Sequence, residues 1–262
     1  MKMYVCILFC SAAVFLAGES KFSPEYELLI SEANNYYDSG NYEEAVVLFQ
    51  KAASLFPSAS DAYLQIGNVH LTQKLYSIAL NFFLKALEAK DGFILAESRI
   101  ELLVNMAITY HHLSLYNDEI AYLQKIINSL SGYENSFNTE IAGWTHFALG
   151  LNYLKQKEYA HSIDNFLKSI QFNYWNKSCY MYIAHFYFSH NRDEIDLIHQ
   201  KRSEKIKTKS PDVKERYFNY YFTKFEQTTE KDSNEKLFLK DSKRAGLINE
   251  MRVYKSGLTN GN

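Results

Sequence analysis

The stretch GNYEEAVVLFQKAASLFP, residues 40–57, places small and aromatic side chains at fixed intervals. The stretch KLYSIALNFFLKALEAKD, residues 74–91, begins 34 residues later and repeats those intervals. The matched pairs are Tyr42 with Tyr76, Ala45 with Ala79, Phe49 with Phe83, and Ala52 with Ala86. Each repeat holds two apolar patterns of helical period around a short break, and a period of this length is typical of stacked helix pairs. The sequence therefore predicts a repeat array.

The composition favours an all-α fold. Hydrophobic residues make up 47% and charged residues 22% of the 262 residues, so the chain can bury enough apolar surface to fold. Three prolines and ten glycines are too few for the many turns of a β-sandwich, whereas 21 tyrosines and 18 phenylalanines supply large side chains for packing between helices. The formal charge of −2 gives no field that would attract nucleic acid, and we predict no nucleic-acid partner.

The beginning of the chain has the design of a signal peptide. Lys2 precedes an apolar run over 3–16, and small residues follow between 17 and 20. The run is shorter than the ~20 apolar residues that span a bilayer as a helix, which favours cleavage over permanent anchoring. We predict a signal peptide at 1–20 and an exported protein, periplasmic or secreted; an uncleaved segment would instead associate the protein with a membrane. After cleavage Cys179 is the only cysteine, so no internal disulfide is expected.

The repeat resembles the tetratricopeptide repeat. In the first unit the likeness lies in Leu29, Ala33, Tyr36, Gly40, Tyr42, Ala45, Phe49, Ala52 and Pro57, and in the second it lies in Tyr63, Ile66, Gly67, Tyr76, Ala79, Phe83 and Ala86. Looser matches extend the pattern to five units, near 26–59, 60–93, 100–133, 143–176 and 177–210. The resemblance implies a right-handed α-solenoid of about five antiparallel helix pairs over 21–210. A C-terminal capping helix and tail would follow over 211–262.

The units are not evenly spaced. Their small-residue landmarks are separated by 34, 40, 43 and 34 residues, and they are Ala33, Gly67, Ala107, Gly150 and Ala184. Because residues 94–113 contain no Gly or Pro, we expect the first insertion to lengthen a helix, whereas residues 131–140 predict an extended loop. Glu119 stands where alanine stands in the first two units. An unpaired buried carboxylate would cost on the order of several kcal/mol, so we expect Glu119 to be paired or its helix to be displaced.

No pattern in the chain predicts catalysis. The nucleophile elbow, the zinc-protease motif and Gly-rich phosphate loops do not occur in the sequence. His111 and His112 are adjacent, and His185 and His190 are five residues apart, whereas chelation from one helix face favours separations of three or four. We therefore predict no enzyme activity, no metal site, no cofactor and no small-molecule substrate.

The remaining candidate for function is the concave face, which the resemblance places on the first helix of each unit. The candidate partner-binding residues are Asn34, Tyr37, Gln65, Asn68, Asn105, His111, Trp144, Phe147, Leu151, Tyr182 and His185. The amides can donate to and accept from a peptide backbone at once. The family's cationic clamp for a terminal carboxylate is not expected, because Glu101 occupies one of its positions and would repel such a ligand. The aromatic residues either pack under the C-terminal cap or form a site for an apolar peptide or helix.

These features predict an exported protein-interaction scaffold that binds a peptide or helical segment in a concave groove. The alternative is a non-catalytic structural component of a cell-envelope assembly, which would bind through its end surfaces and convex faces. In both cases the expected partner is a protein or peptide.

Overall fold

The computed structural model describes residues 22–95, 97–130, 136–202 and 213–260. Within these ranges the chain forms thirteen α-helices and no β-strand. The helices are α1 (Pro24–Asp38), α2 (Tyr42–Leu55), α3 (Asp61–Thr72), α4 (Tyr76–Glu88), α5 (Ser98–His112), α6 (Tyr116–Ser129), α7 (Ser136–Lys155), α8 (Tyr159–Gln171), α9 (Asn176–Ser189), α10 (Arg192–Lys201), α11 (Val213–Gln227), α12 (Ser233–Lys240) and α13 (Ser242–Asn260). The all-α prediction is confirmed. The predicted signal peptide at 1–20 lies outside the described residues.

The described residues fall into two compact units that divide between Ser129 and Leu130. The first unit holds α1 to α6, and the second holds α7 to α13. None of the described helices is both long and apolar enough to cross a lipid bilayer.

The six helices of the first compact unit pack as three successive hairpins. Helix α1 pairs with α2, α3 with α4, and α5 with α6, while α2 also packs on α3 and α4 on α5. The first helices contact one another as well, α1 with α3 and α3 with α5, so these three helices form one layer. The small residues explain the close approach within a hairpin: Ala33, Ala45 and Ala79 are fully buried, and Gly67 lies against the ring of Phe83.

A left-handed residue ends the first helix of four hairpins. These residues are Gly40 (φ 80°), Lys74 (φ 63°), Ser114 (φ 60°) and Lys157 (φ 61°). The next N–H donates back to a carbonyl five residues earlier at 2.8–3.0 Å, from Asn41 to Tyr36, Leu75 to His70, Leu115 to Tyr110 and Glu158 to Tyr153. This Schellman geometry satisfies carbonyls that the helix end would leave unpaired and sets the hairpin turn. Only the first of the four turns has the glycine that this conformation favours.

The insertion between the second and third repeats is divided between a helix and a connection, so the expectation of a longer helix is met in part. Helix α5 has 15 residues against 12 in α3, and residues 89–97 form a longer connection than residues 56–60, which join α2 to α3. Gly92 adopts φ 71°, and its carbonyl accepts from the N–H of Ser60 at 2.8 Å. The carboxylate of Asp61 then accepts from the N–H of Ile94 through both oxygens, at 3.2 and 3.0 Å. These contacts tie the connection to the start of α3 and satisfy its backbone without a helix.

The second compact unit, from α7 to α13, begins with the predicted helix hairpin and then departs from the repeat pattern. Helix α7 pairs with α8, but it begins at Ser136, so the second half of the loop predicted at 131–140 is helical. The first half lies outside the described residues.

Helix α9 takes α11 as its main partner, whereas the sequence interpretation placed its partner before residue 210. The difference follows from the side chains that the two helices offer. Helix α10 buries Ile195, Ile198 and His199, while α11 buries five residues, four of them aromatic. Tyr187 of α9 packs against two rings of α11, with its centroid 5.1 Å from Tyr217 and 5.8 Å from Tyr221. The larger aromatic face therefore displaces α10 from the hairpin position.

Candidate functional site

Polar side chains on α3 and α5, in the first compact unit, form one hydrogen-bonded network. The amide nitrogen of Asn68 donates to Oε1 of Gln65 at 3.0 Å and to Oε1 of Glu101 at 2.8 Å. The amide nitrogen of Asn105 donates to Oδ1 of Asn68 at 2.8 Å. The four side chains link α3 to α5, and Gln65, Glu101 and Asn105 remain partly exposed. The structure therefore brings three of the predicted binding residues together around Asn68, with Glu101 as the one carboxyl among them.

The two predicted residues on α1 do not join this network. The hydroxyl of Tyr37 lies 2.9 Å from Oγ1 of Thr72, which ties α1 to α3. The amide of Asn34 is partly exposed and makes no hydrogen bond among the described residues. Asn34 therefore keeps donors and an acceptor for a ligand, whereas Asn68 uses most of its own within the protein.

Glu101 is a partly buried carboxyl on this face. Its pKa is raised to about 7, mainly by desolvation; the hydrogen bond from Asn68 opposes the rise, and the nearby charge of Asp61 adds to it. No Lys, Arg or His of the described residues pairs with it. A carboxyl of this kind carries a partial charge near neutral pH, and no cationic side chain in the described part of the chain neutralises it.

The raised pKa predicts a specific dependence of stability on pH. Because the folded state holds the proton more tightly than the unfolded chain, the stability from Glu101 declines as pH rises from about 4.5 to about 7. Replacing Glu101 with glutamine removes this loss. We therefore expect Glu101→Gln to gain about 1–2 kcal/mol relative to the native chain between pH 4 and pH 8, allowing for the partial exposure of the side chain.

Urea unfolding at both pH values, followed by far-UV circular dichroism, measures this difference. Glu88→Gln, an exposed carboxylate on α4, is the matched control and should show no comparable gain. A pH-independent difference between Glu101→Gln and the native chain would contradict the prediction.

Glu119 is paired, as expected for a carboxylate in an alanine position. Its side chain is only 3% exposed, and its two oxygens lie 3.0 and 3.1 Å from Nδ1 of His111. His111 is therefore a structural partner of α6, which reduces its availability to a ligand. The neighbouring His112 stacks on Tyr76 with ring centroids 4.3 Å apart.

The pair predicts an unequal response to its two deletions. His111→Ala leaves a buried carboxylate without a partner and should cost about 2–3 kcal/mol. Glu119→Ala should cost less, because alanine already fills the equivalent place at Ala45 and Ala79. The double variant should be more stable than His111→Ala alone, which a double-mutant cycle in urea tests directly. Additive effects of the two substitutions would show that the pair is not coupled.

The aromatic residues predicted for the groove lie in the interior of the second unit. Trp144 is 3% exposed and Phe147 is fully buried. The ring of Phe147 lies 5.3 Å from Trp175 and 5.8 Å from Phe238 of α12, centroid to centroid. The expectation of an open site for an apolar partner is therefore not met at Trp144 and Phe147. Of the two readings, the geometry is that of packing beneath the C-terminal helices.

The remaining predicted residues of this unit are held in the same way. Tyr182 stacks on Phe166 at 5.2 Å, and its hydroxyl accepts from Nε of Arg244 at 3.1 Å. The guanidinium of Arg244 also lies 3.7 Å from the centre of the Phe238 ring. Leu151 is buried, and burial lowers the pKa of the half-buried His185. These contacts fasten α12 and α13 over α9.

A second surface feature lies between α1 and α2. An open cleft of about 610 Å³ is lined by Glu32, Asn35, Tyr36, Glu43, Glu44, Val47 and Leu48. The lining combines exposed apolar side chains, with Tyr36 at 41% and Val47 at 63%, and three carboxylates.

In the described part of the chain, no three His, Cys, Asp or Glu side chains are grouped so that they could hold a metal ion. Cys179 is buried, and burial raises the pKa of its thiol, which makes it a packed rather than a reactive side chain.

Family models match the first two repeats. A model described as TPR repeat matches residues 33–74, and one described as Tetratricopeptide repeat matches residues 60–92. The human "Intraflagellar transport protein 88 homolog" is 26% identical over 127 residues, which are 48% of this chain and 15% of the human protein. The chain thus matches only a small part of that relative.

Two solved structures share the fold. The MamA protein has a TM-score of 0.52 at 16% identity, covering 78% of this chain and 93% of MamA. YrrB, described as "a TPR protein with an unusual peptide-binding site", has a TM-score of 0.52 at 16% identity, covering 74% of this chain and 84% of YrrB. The family matches thus identify tetratricopeptide repeats over residues 33–92, a motif of protein-interaction scaffolds, and the solved structures share the helical fold.

Proposed function

We propose that this chain is an exported, non-catalytic interaction module that binds an extended peptide segment along α1, α3 and α5. The observation that carries the proposal is the amide and carboxyl network on that layer, with Asn34 beside it. Partly exposed amides at successive positions can pair with both the N–H and C=O groups of a peptide backbone. The proposal of export rests on the apolar run over 3–16.

The layer is suited to binding because it is held in place before a ligand arrives. Tyr37 ties α1 to α3 through Thr72, and Asn68 ties α3 to α5. A preformed surface loses little conformational freedom on binding, so modest contacts suffice for a weak, exchangeable complex. In this proposal the second compact unit contributes stability and no ligand contacts, because its aromatic side chains already pack against one another in its interior.

Binding is tested with the full chain in mild detergent and a library of fluorescent nonapeptides with blocked ends. The best binder should lose about five- to tenfold in affinity against Asn34→Ala, the loss expected for one or two hydrogen bonds. Asn81→Ala, an exposed asparagine on α4, is the matched control and should bind as the native chain does. N-methylation of the peptide backbone should abolish binding. Equal affinities for Asn34→Ala and Asn81→Ala would count against this face.

A second candidate is a structural component of a cell-envelope assembly that binds through an end surface. The cleft between α1 and α2 favours it, because a lining of exposed apolar side chains and carboxylates suits a basic amphipathic helix. Val47→Asp would abolish such an assembly and leave peptide binding unchanged. A stable stoichiometric complex after mild solubilisation that Val47→Asp dissolves would favour this reading over the first.

A further inference from the structure

The first compact unit is strongly acidic, and so is its layer of helices α1, α3 and α5. Residues 22–129 contain thirteen Asp and Glu against six Lys and Arg, a formal charge of −7, although the whole chain is nearly neutral at −2. Helices α1, α3 and α5 alone carry six acidic residues and one basic residue, Arg99, which is exposed. A cationic segment would be drawn to this layer, and an anionic one would be repelled.

Glu101 is the carboxyl of the hydrogen-bonded network, and no cation of the described residues pairs with it. Its Oε1 accepts from Asn68, while Oε2 makes no hydrogen bond within the described residues. The other buried carboxylates of the unit have partners: Asp61 accepts from the N–H of Ile94, and Glu119 lies against His111. Glu101 therefore differs from the other two because an acceptor oxygen on a partly exposed side chain remains for a ligand.

We propose that the peptide bound on α1, α3 and α5 carries a Lys or Arg side chain whose cation pairs with Glu101 inside the amide network. The proposal rests on the function proposed above and specifies the chemistry of its partner. An incoming cation would supply the charge that the protein lacks at this point, and Gln65 and Asn105 would flank it with polar groups. The raised pKa of Glu101 agrees with this geometry, since it marks a carboxylate without a cation.

The same geometry argues against other occupants of this position. A terminal carboxylate would meet Glu101 with no Lys or Arg of the described residues beside it. An apolar side chain would desolvate the carboxyl further without replacing the lost hydration. A metal ion would need more ligands than one carboxylate, and no suitable group of His, Cys, Asp and Glu occurs in the described part of the chain.

A positional-scanning library of nonapeptides with blocked ends, titrated against the full chain in mild detergent, tests the proposal. The native protein should select Lys or Arg at one position. Replacing that residue with norleucine, which keeps the stem of lysine without its charge, should weaken binding about ten- to a hundredfold. Glu101→Gln keeps the shape of the side chain and should bind the two peptides equally.

Glu88→Gln is the matched control, because it removes the same charge from α4 and should preserve the preference. Selection of peptides without a cationic position, or an unchanged preference in Glu101→Gln, would overturn the proposal while leaving peptide binding intact. A preference lost equally in Glu88→Gln would show that the general field acts rather than Glu101, and would overturn it as well. If no peptide binds at all, the proposed function itself fails.

Discussion

Replacing Gly67 with leucine should lower the free energy of unfolding of the first unit by at least about 3 kcal/mol. A Cβ at this position would lie 2.4 Å from Cε1 and 2.5 Å from Cδ1 of Phe83, closer than carbon atoms approach. The ring of Phe83 is fully buried, so it cannot turn away without disturbing its other neighbours. Helices α3 and α4 would have to separate, and the packing of α2 on α3 and of α4 on α5 would be disturbed with them.

A graded series separates this effect from helix propensity. Gly67→Ala should fall between the native chain and Gly67→Leu, because alanine gains about 1 kcal/mol of helix propensity but still meets the ring. Gly246→Ala is the control: no atom lies within 4 Å of the added carbon, so it should gain about 0.5–1 kcal/mol. Phe83→Leu should cost less in the Gly67→Ala background than alone. Urea unfolding by far-UV circular dichroism measures all five variants, and a Gly67→Leu chain as stable as the native one would contradict the close approach.

The hairpins of the first unit are predictable from the sequence because the repeat records their packing. A small residue on one helix and an aromatic residue on the next recur with the period of the repeat, as in Gly67 and Phe83. The turns are less visible. Lys74 and Ser114 adopt the same left-handed conformation as Gly40, so the backbone repeats where the residue type does not.

The pairing of Glu119 shows where such inference stops. A carboxylate in an alanine position predicts that some partner exists. The partner, His111, lies eight residues earlier across the turn, and sequence alone had placed it on the groove. A similar limit applies to Glu101. Its position predicts repulsion of an anionic ligand, but only the structure shows that Asn68 donates a hydrogen bond to its carboxylate and that no cation of the described residues pairs with it.

The aromatic residues of α7 show a different limit, because the sequence leaves two interpretations open for them, packing beneath the C-terminal cap or an exposed site. The positions of Trp144 and Phe147 on the first helix of a hairpin assign both side chains to the concave face. These positions do not show which other residues cover that face. Residues 141–152 are buried without interruption, so α7 is enclosed on all sides. The cover includes Phe238, from a segment with no repeat pattern, and such a long-range contact leaves no periodic trace in the sequence.

A buried carboxylate adds to the attachment of that segment, and Glu235→Ala should destabilise the second unit by about 3 kcal/mol. Glu235 is fully buried, and its Oε1 accepts from the N–H and the hydroxyl of Ser178, both at 2.9 Å. Its Oε2 accepts from the N–H of Lys231 at 2.6 Å. Helix α9 has no cap of its own, because Trp175 before it is left-handed and makes no capping bond. Glu235 therefore caps α9 from 57 residues away and favours its dipole.

Tryptophan fluorescence during urea unfolding measures this effect in the second unit alone, since both tryptophans of the chain, Trp144 and Trp175, belong to it. Glu235→Gln should lose less than Glu235→Ala, because its remaining oxygen can still accept from Ser178. Glu250→Ala, an exposed carboxylate on α13, should stay within about 0.5 kcal/mol of the native chain. A loss below about 1 kcal/mol for Glu235→Ala would mean that α9 finds another cap. A loss of the expected size, with Trp175 fluorescence shifted to longer wavelength before global unfolding, would place the first local opening at α12.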